Sequence, residues 1–196
     1  MSQENRNIYD GLSHAAWGYF FLHFDFNLNN VSIFPRFVGW LLLLSACKKL
    51  SGERRDLALL RPLSVLLAAW YALDWLLSWG GEDANGHILF LDLLVAVAGL
   101  YFHFQFLTDM AALAEQYQPA GAGLDGKLRV RRTLYVVLMT LFSLLGNLLA
   151  ALPEHWGEGI AIVMVLTALI AAILIMAALF RLRRFFREGE TARPAA

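Results

Sequence analysis

The stretch GIAIVMVLTALIAAILIMAALF, Gly159–Phe180, contains no charged residue and no proline. At about 1.5 Å per residue, a helix of this length crosses a hydrocarbon core of about 30 Å. Its apolar side chains run all round the helix and leave no polar stripe to face water, so lipid is the solvent it matches. Working outward, the run extends to Gly157–Phe180, and five more apolar runs precede it: Leu12–Leu28, Ile33–Leu50, Leu57–Trp79, His87–Met110 and Leu128–Leu152. The pattern predicts an all-α, polytopic integral membrane helical bundle of about six transmembrane helices, forming a single transmembrane domain over residues 1–196.

Composition agrees. The chain is 59% hydrophobic and 16% charged, with a mean hydropathy of +0.54, whereas a soluble domain is about 45–50% apolar and about 25% charged. Cys47 is the single cysteine, which excludes an internal disulfide or a CxxC site. The opening MSQENRNIYD lacks the basic start of a signal peptide, so the first apolar run is expected to be retained. That run, LSHAAWGYFFLHFDFNL, carries His14, His23 and Asp25, and an interfacial or re-entrant placement is the alternative to a span.

Lys and Arg set the orientation, because short loops rich in them stay in the cytoplasm. KKLSGERRDLALLR, KLRVRR and RLRRFFR fall on one side, while FNLNNVSIFPR, GGEDANGH and PEHWGEG fall on the other. Arg36 is the exception among the 16 Lys and Arg residues. Both termini are therefore expected inside, with a cytoplasmic connection over 111–127, a flexible cytoplasmic tail over 188–196 and a multi-pass location in the cytoplasmic membrane. The part of that connection reading GAGLDGK is expected to be a flexible turn, and Glu53 to Asp56 a solvated loop. Asn30-Val31-Ser32 is a formal glycosylation sequon on the outer side.

Ionised groups in hydrocarbon are costly and usually face the bundle interior. Asp25, Asp74, Asp92 and Asn147 lie at a shared depth near the outer ends of their runs, with Arg36 nearby, and predict a polar chamber opening outward. The hairpins containing Asp25, Asp74 and Asn147 also suggest a three-fold hairpin repeat. His14 precedes Asp25, and Asp92 precedes His103, by about three helical turns. The two histidines therefore form a candidate inner proton relay below the carboxylates. Gly18 and Gly99 on the same stripes would permit close helix approach. Aromatics including Trp70 and Trp75 surround the acidic positions and suit a flat ring or an organic cation.

Several readings of the polar layer stay open at this stage. One is binding or transport of a small solute or cation. Another is a non-transporting scaffold whose polar layer specifies packing and whose basic loops dock a cytoplasmic protein partner. A third is a membrane enzyme, or a b-type haem held between His14 and His103. No cofactor is otherwise implied, and no basic, aromatic-interleaved stretch suits nucleic acid. Catalytic motifs such as HExxH, GxSxG and phosphate-binding glycine loops are absent, so an enzyme is the less favoured class.

The runs HAAWGYFFLHFDFNLNNVSIFPRFVGWLLLL and LYFHFQFLTDMAALA resemble an uncharacterised family of small multi-helix membrane proteins of Gram-positive bacteria. The resemblance covers the first four spans and implies no activity. Size and six-helix topology are also similar to the substrate-binding subunits of energy-coupling-factor vitamin transporters. GLSHAAWG does not carry the small-residue docking motif of those subunits, so no residue roles follow from them.

Overall fold

The computed structural model describes residues 3–24, 27–28, 31–32, 35–79, 89–149 and 154–188. These residues are helical apart from short connections and one two-residue ladder. The helices are α1 (Gln3–His23), α2 (Arg36–Leu50), the single turn α3 (Asp56–Leu59) leading into α4 (Arg61–Ser78), α5 (Leu89–Tyr117), α6 (Leu124–Leu149) and α7 (Glu154–Glu188). Pro35 precedes α2 in an extended conformation, and Pro62 occupies the first turn of α4, where the missing N–H costs nothing. The six apolar runs thus correspond to α1, α2, α4, α5, α6 and α7.

Several helices run past their apolar stretches, α1 from Gln3, α5 to Tyr117 and α7 to Glu188, and one stops short. The first run is helical only to His23, and Asn27–Leu28 pairs antiparallel with Val31–Ser32, Asn27 opposite Ser32. The Asn-rich FNLNN favours a turn over a helix there. Asp25, one of the three repeat positions, lies outside the described residues. Asp74 and Asn147 fall near the C-terminal ends of α4 and α6.

Among the described residues, three helical segments are long and apolar enough to cross a membrane: Asp56–Ser78, Leu91–Tyr117 and Gly157–Phe186. The others fall short for visible reasons. The 15 residues of α2 reach only about 22 Å, α1 begins with the polar QENRNIYD, and α6 begins with LDGKLRVRR. The exterior is apolar. On α7, Ile162, Val163, Val165, Leu166, Ile170 and Ile173 are all exposed, an apolar face that fits hydrocarbon better than water. The hydroxyls of Thr108, Thr140, Ser143 and Thr167 each donate to the carbonyl four residues back, so none is left unsatisfied at that surface.

The helices close into a ring in which α1 packs on α2, α2 on α4, α4 on α5, α5 on α6, α6 on α7 and α7 on α1. The tightest approach joins α1 to α2. A Cβ on Gly39 would stand 2.9 Å from the Gly18 carbonyl oxygen, and one on Gly18 would stand 2.9 Å from Leu43. The absence of side chains at these positions is what lets the backbones meet, as expected for Gly18. Gly99 plays a different part, with nothing within 4 Å of its Cβ position.

Contacts gather the basic residues at one end. Lys49 pairs with Asp10 at 3.4 Å, Arg129 with Glu115 at 2.5 Å, and Arg183 donates to Ser13 Oγ at 3.3 Å. We call this the basic end and the opposite one, where α2 begins and α4 finishes, the distal end. Glu53 and Arg54 are built into the basic end. Tyr117 donates to the Glu53 carboxylate at 2.6 Å, and Arg54 stands 4.0 Å from the buried carboxylate of Asp109, to which Gln105 also donates. The expected solvated loop is therefore tied to α5, because Asp109 requires a cation and a donor to be tolerated inside.

The connection between α5 and α6 is similarly anchored. Only Gln118–Gly123 is non-helical within 111–127, with Gly121 and Gly123 at positive φ. The Gln118 side-chain oxygen accepts from the backbone of Leu124 at 2.7 Å, and its amide donates to Asp125 at 2.7 Å. This caps the start of α6 and replaces the flexible turn expected for GAGLDGK.

Packing is uneven along the ring. Leu43, Leu50, Leu57, Leu60, Phe106, Leu107, Met110, Leu113, Leu128 and Leu182 are fully buried and fill the half nearer the basic end. The distal half instead holds a cavity.

Candidate functional site

The cavity has a volume of about 430 Å³ and is lined by α1, α2, α4, α5 and α6. A space of that size is in the range of small-molecule sites, about 300–1,000 Å³. Its polar wall is made by His23, Arg36, Tyr71, His103, Tyr135 and Ser143, and Trp40 supplies an aromatic face. Arg36 is the charged side chain of the wall among the described residues. It stands in the first turn of α2, where the chain re-enters the bundle after Pro35.

Two hydrogen bonds cross the interior from α1. The Nδ1 of His23 lies 2.9 Å from the carbonyl oxygen of Tyr19, which can only accept, so that nitrogen carries the proton. In the neutral ring Nε2 is then an acceptor, and the Tyr135 hydroxyl donates to it at 2.8 Å. The Tyr19 hydroxyl bonds His103 Nδ1 at 3.0 Å. His103 Nε2 is not engaged by any described residue, and the ring lines the cavity.

Aromatic packing fixes these groups. Tyr19 stacks on His23 with ring centroids 5.9 Å apart, and His103 is enclosed by Trp40 at 5.3 Å and Tyr135 at 5.1 Å. Trp40 in turn stacks on Tyr71 at 6.2 Å. Neither the Tyr19 nor the His103 ring can turn without displacing its neighbours, so the polar atoms are held in place before any ligand arrives.

The structure redistributes the residues singled out from sequence. Arg36 and His103 share the cavity wall. Asp74 stands three residues after Tyr71, and Asp92 three before Val95, which places each about one helical turn beyond the wall toward the distal end. Trp70 packs against the core, while Trp75 meets Phe37 and Trp79 with centroids 5.5 and 5.2 Å away. Asp25 lies outside the described residues, as does the side chain of Asn147. The carboxylates expected to form the chamber thus yield to aromatic and imidazole groups along the described wall.

His14 parts company with His103. Its Nδ1 bonds Ser45 Oγ on α2 at 2.8 Å, whereas His103 bonds Tyr19 on α1. The two imidazoles take separate partners, each through Nδ1. No group of three His, Cys, Asp or Glu side chains suited to a metal occurs among the described residues.

From sequence, neither Trp40 nor Tyr135 is singled out, Tyr19 counts only among the aromatics dense around the polar layer, and His23 only as a polar residue of the first run. The available signal was a phenol amid aliphatics in LYVVLM, repeated by the phenol in AAWGYFF. Comparison with protein-family models, curated proteins and solved structures finds no match to this chain, so the resemblance to a Gram-positive membrane family gains no support there.

Proposed function

We propose that the chain is a multi-pass protein of the cytoplasmic membrane, with six spans and both termini on the basic, cytoplasmic side. In this reading it binds, for transport, a small flat organic solute that carries hydrogen-bond acceptors such as a carboxylate. The observation that carries it is the distal cavity, whose wall joins the Arg36 guanidinium to the rings of Trp40, Tyr71, His103 and Tyr135. A guanidinium offers a planar pair of donors to a carboxylate, and ring faces accept a flat solute by stacking. The clustering of Lys and Arg at one end supports the orientation.

The binding claim is tested on purified protein in detergent by following thermal unfolding with nicotinate and with tryptamine. Nicotinate is expected to stabilise the wild type, with the effect lost in Arg36→Gln and His103→Phe. Stabilisation by tryptamine alone would reverse the charge assignment, and stabilisation by neither probe would remove this solute class. Topology is read by thiol labelling from each side of the membrane in a Cys47→Ser background. Ala120→Cys should react from the cytoplasm and Glu82→Cys from outside.

A further inference from the structure

The run KLRVRR at the start of α6 divides its cations between two faces. Arg129 pairs with Glu115 at 2.5 Å and lies 4.0 Å from Asp125, and Arg132 donates to Thr108 at 2.8 Å and covers the Phe104 ring at 4.4 Å. Lys127 and Arg131, four residues apart and so on one face, instead line a groove between α6 and α7. The remaining lining comes from Gly123, Gly126, Val130, Leu134 and Leu174.

Arg131 donates to the main-chain oxygen of Leu174 at 2.5 Å, and Arg181 stands close enough to repel it electrostatically. Among the described residues, no carboxylate forms an ion pair with Lys127, Arg131 or Arg181. Like charges at this spacing oppose each other unless an anion lies between them. The adjoining wall is apolar and exposed: Val130 is 68% accessible, and Leu134 and Leu174 continue into the bare face of α7. Nothing lies within 4 Å of the Cβ positions of Gly123 or Gly126, so the mouth of the groove is open.

We propose that this groove is a binding site for an anionic phospholipid. The phosphate would lie between Lys127 and Arg131, and an acyl chain would run along Val130, Leu134 and Leu174. A cationic lip joined to an apolar wall matches an anionic amphiphile, and basic pockets between helices at a membrane surface take such headgroups. The site lies on the opposite end from the solute cavity and rests on the membrane reading, not on the identity of any solute.

The test uses the full chain in detergent, with dioleoylphosphatidylglycerol, dioleoylphosphatidylcholine or inorganic phosphate added before thermal unfolding, and native mass spectrometry to detect retained lipid. Phosphatidylglycerol should stabilise the wild type beyond phosphatidylcholine. Lys127→Gln/Arg131→Gln should lose that excess and the retained lipid, while Arg129→Gln should keep both. Should the double variant fail to fold, Lys127→Glu, a change at an exposed side chain, is expected to lose the preference. Equal stabilisation by the two lipids, full protection by phosphate, or a preference that survives in the variants would overturn the site. Flotation with phosphatidylcholine vesicles tests membrane association separately, and failure to float would defeat the membrane reading itself.

Discussion

The Tyr135 hydroxyl reaches His23 Nε2 across 2.8 Å and so ties α6 to α1, two helices that are not neighbours in the ring. The bond acts as a strut across the bundle interior. Tyr135→Phe keeps the ring and removes the donor, leaving a partly buried nitrogen without its partner. The expected cost is about 1–3 kcal/mol, measured by reversible unfolding in mixed micelles. Unchanged stability would show that the strut bears no weight.

Gly39 and Gly99 should respond oppositely to the same added methyl. Gly39→Ala drives a Cβ to 2.9 Å from the Gly18 oxygen, so α1 and α2 must separate, at about 1–3 kcal/mol for such overpacking. Gly99→Ala meets nothing within 4 Å, and the better helix propensity of Ala should leave stability unchanged or raise it by up to about 1 kcal/mol. Thermal unfolding of the pair against wild type decides the matter.

Gln118→Ala removes the side-chain cap of α6 and should cost about 0.5–2 kcal/mol. A pH effect accompanies it. The hydrogen bond from Gln118, aided by backbone donors, holds the Asp125 carboxyl below its ordinary value. A folded-state value lower than the unfolded one adds stability above the unfolded pKa, near 3.9, and that stability is lost as pH falls through the lower folded value. Unfolding temperatures measured from pH 6 downward should show this step in wild type, and Asp125→Asn should lack it.

Cys47 is completely buried between α2 and its neighbours. Maleimide labelling of the native protein should therefore be slow and should follow the opening of the bundle, becoming rapid once SDS is added. Rapid labelling under native conditions would contradict the packing of α2.

The helices were legible because charge-free runs such as Gly159–Phe180 have no other stable solution than a helix in an apolar medium. The end of α1 was harder to read. FDFNLNN keeps aromatic and aliphatic residues beyond His23, so hydropathy continues where the helix does not. Arg36 and Gly18 could be singled out as the lone cation of its side and a small residue on an interior stripe. The struts could not, since His23 and Tyr135 are 112 residues apart and no local period encodes which helices meet across a cavity. Asp74 and Asp92 attracted attention because charge is conspicuous in an apolar run, yet the described wall is made largely of rings, which composition alone does not distinguish from packing.

The layer of Leu43, Leu50, Leu57, Phe106, Leu107 and Met110 closes the half of the bundle below the cavity. If the chain carries its solute across the membrane, this layer is a hydrophobic plug, and a wetted route exists only while those side chains stand apart. Arrival from the distal side would then be quick and passage slow, so that flux would follow occupancy and be limited by how often the plug parts. A chain whose plug never parts would have the same cavity and the same affinity, and would work as a receptor.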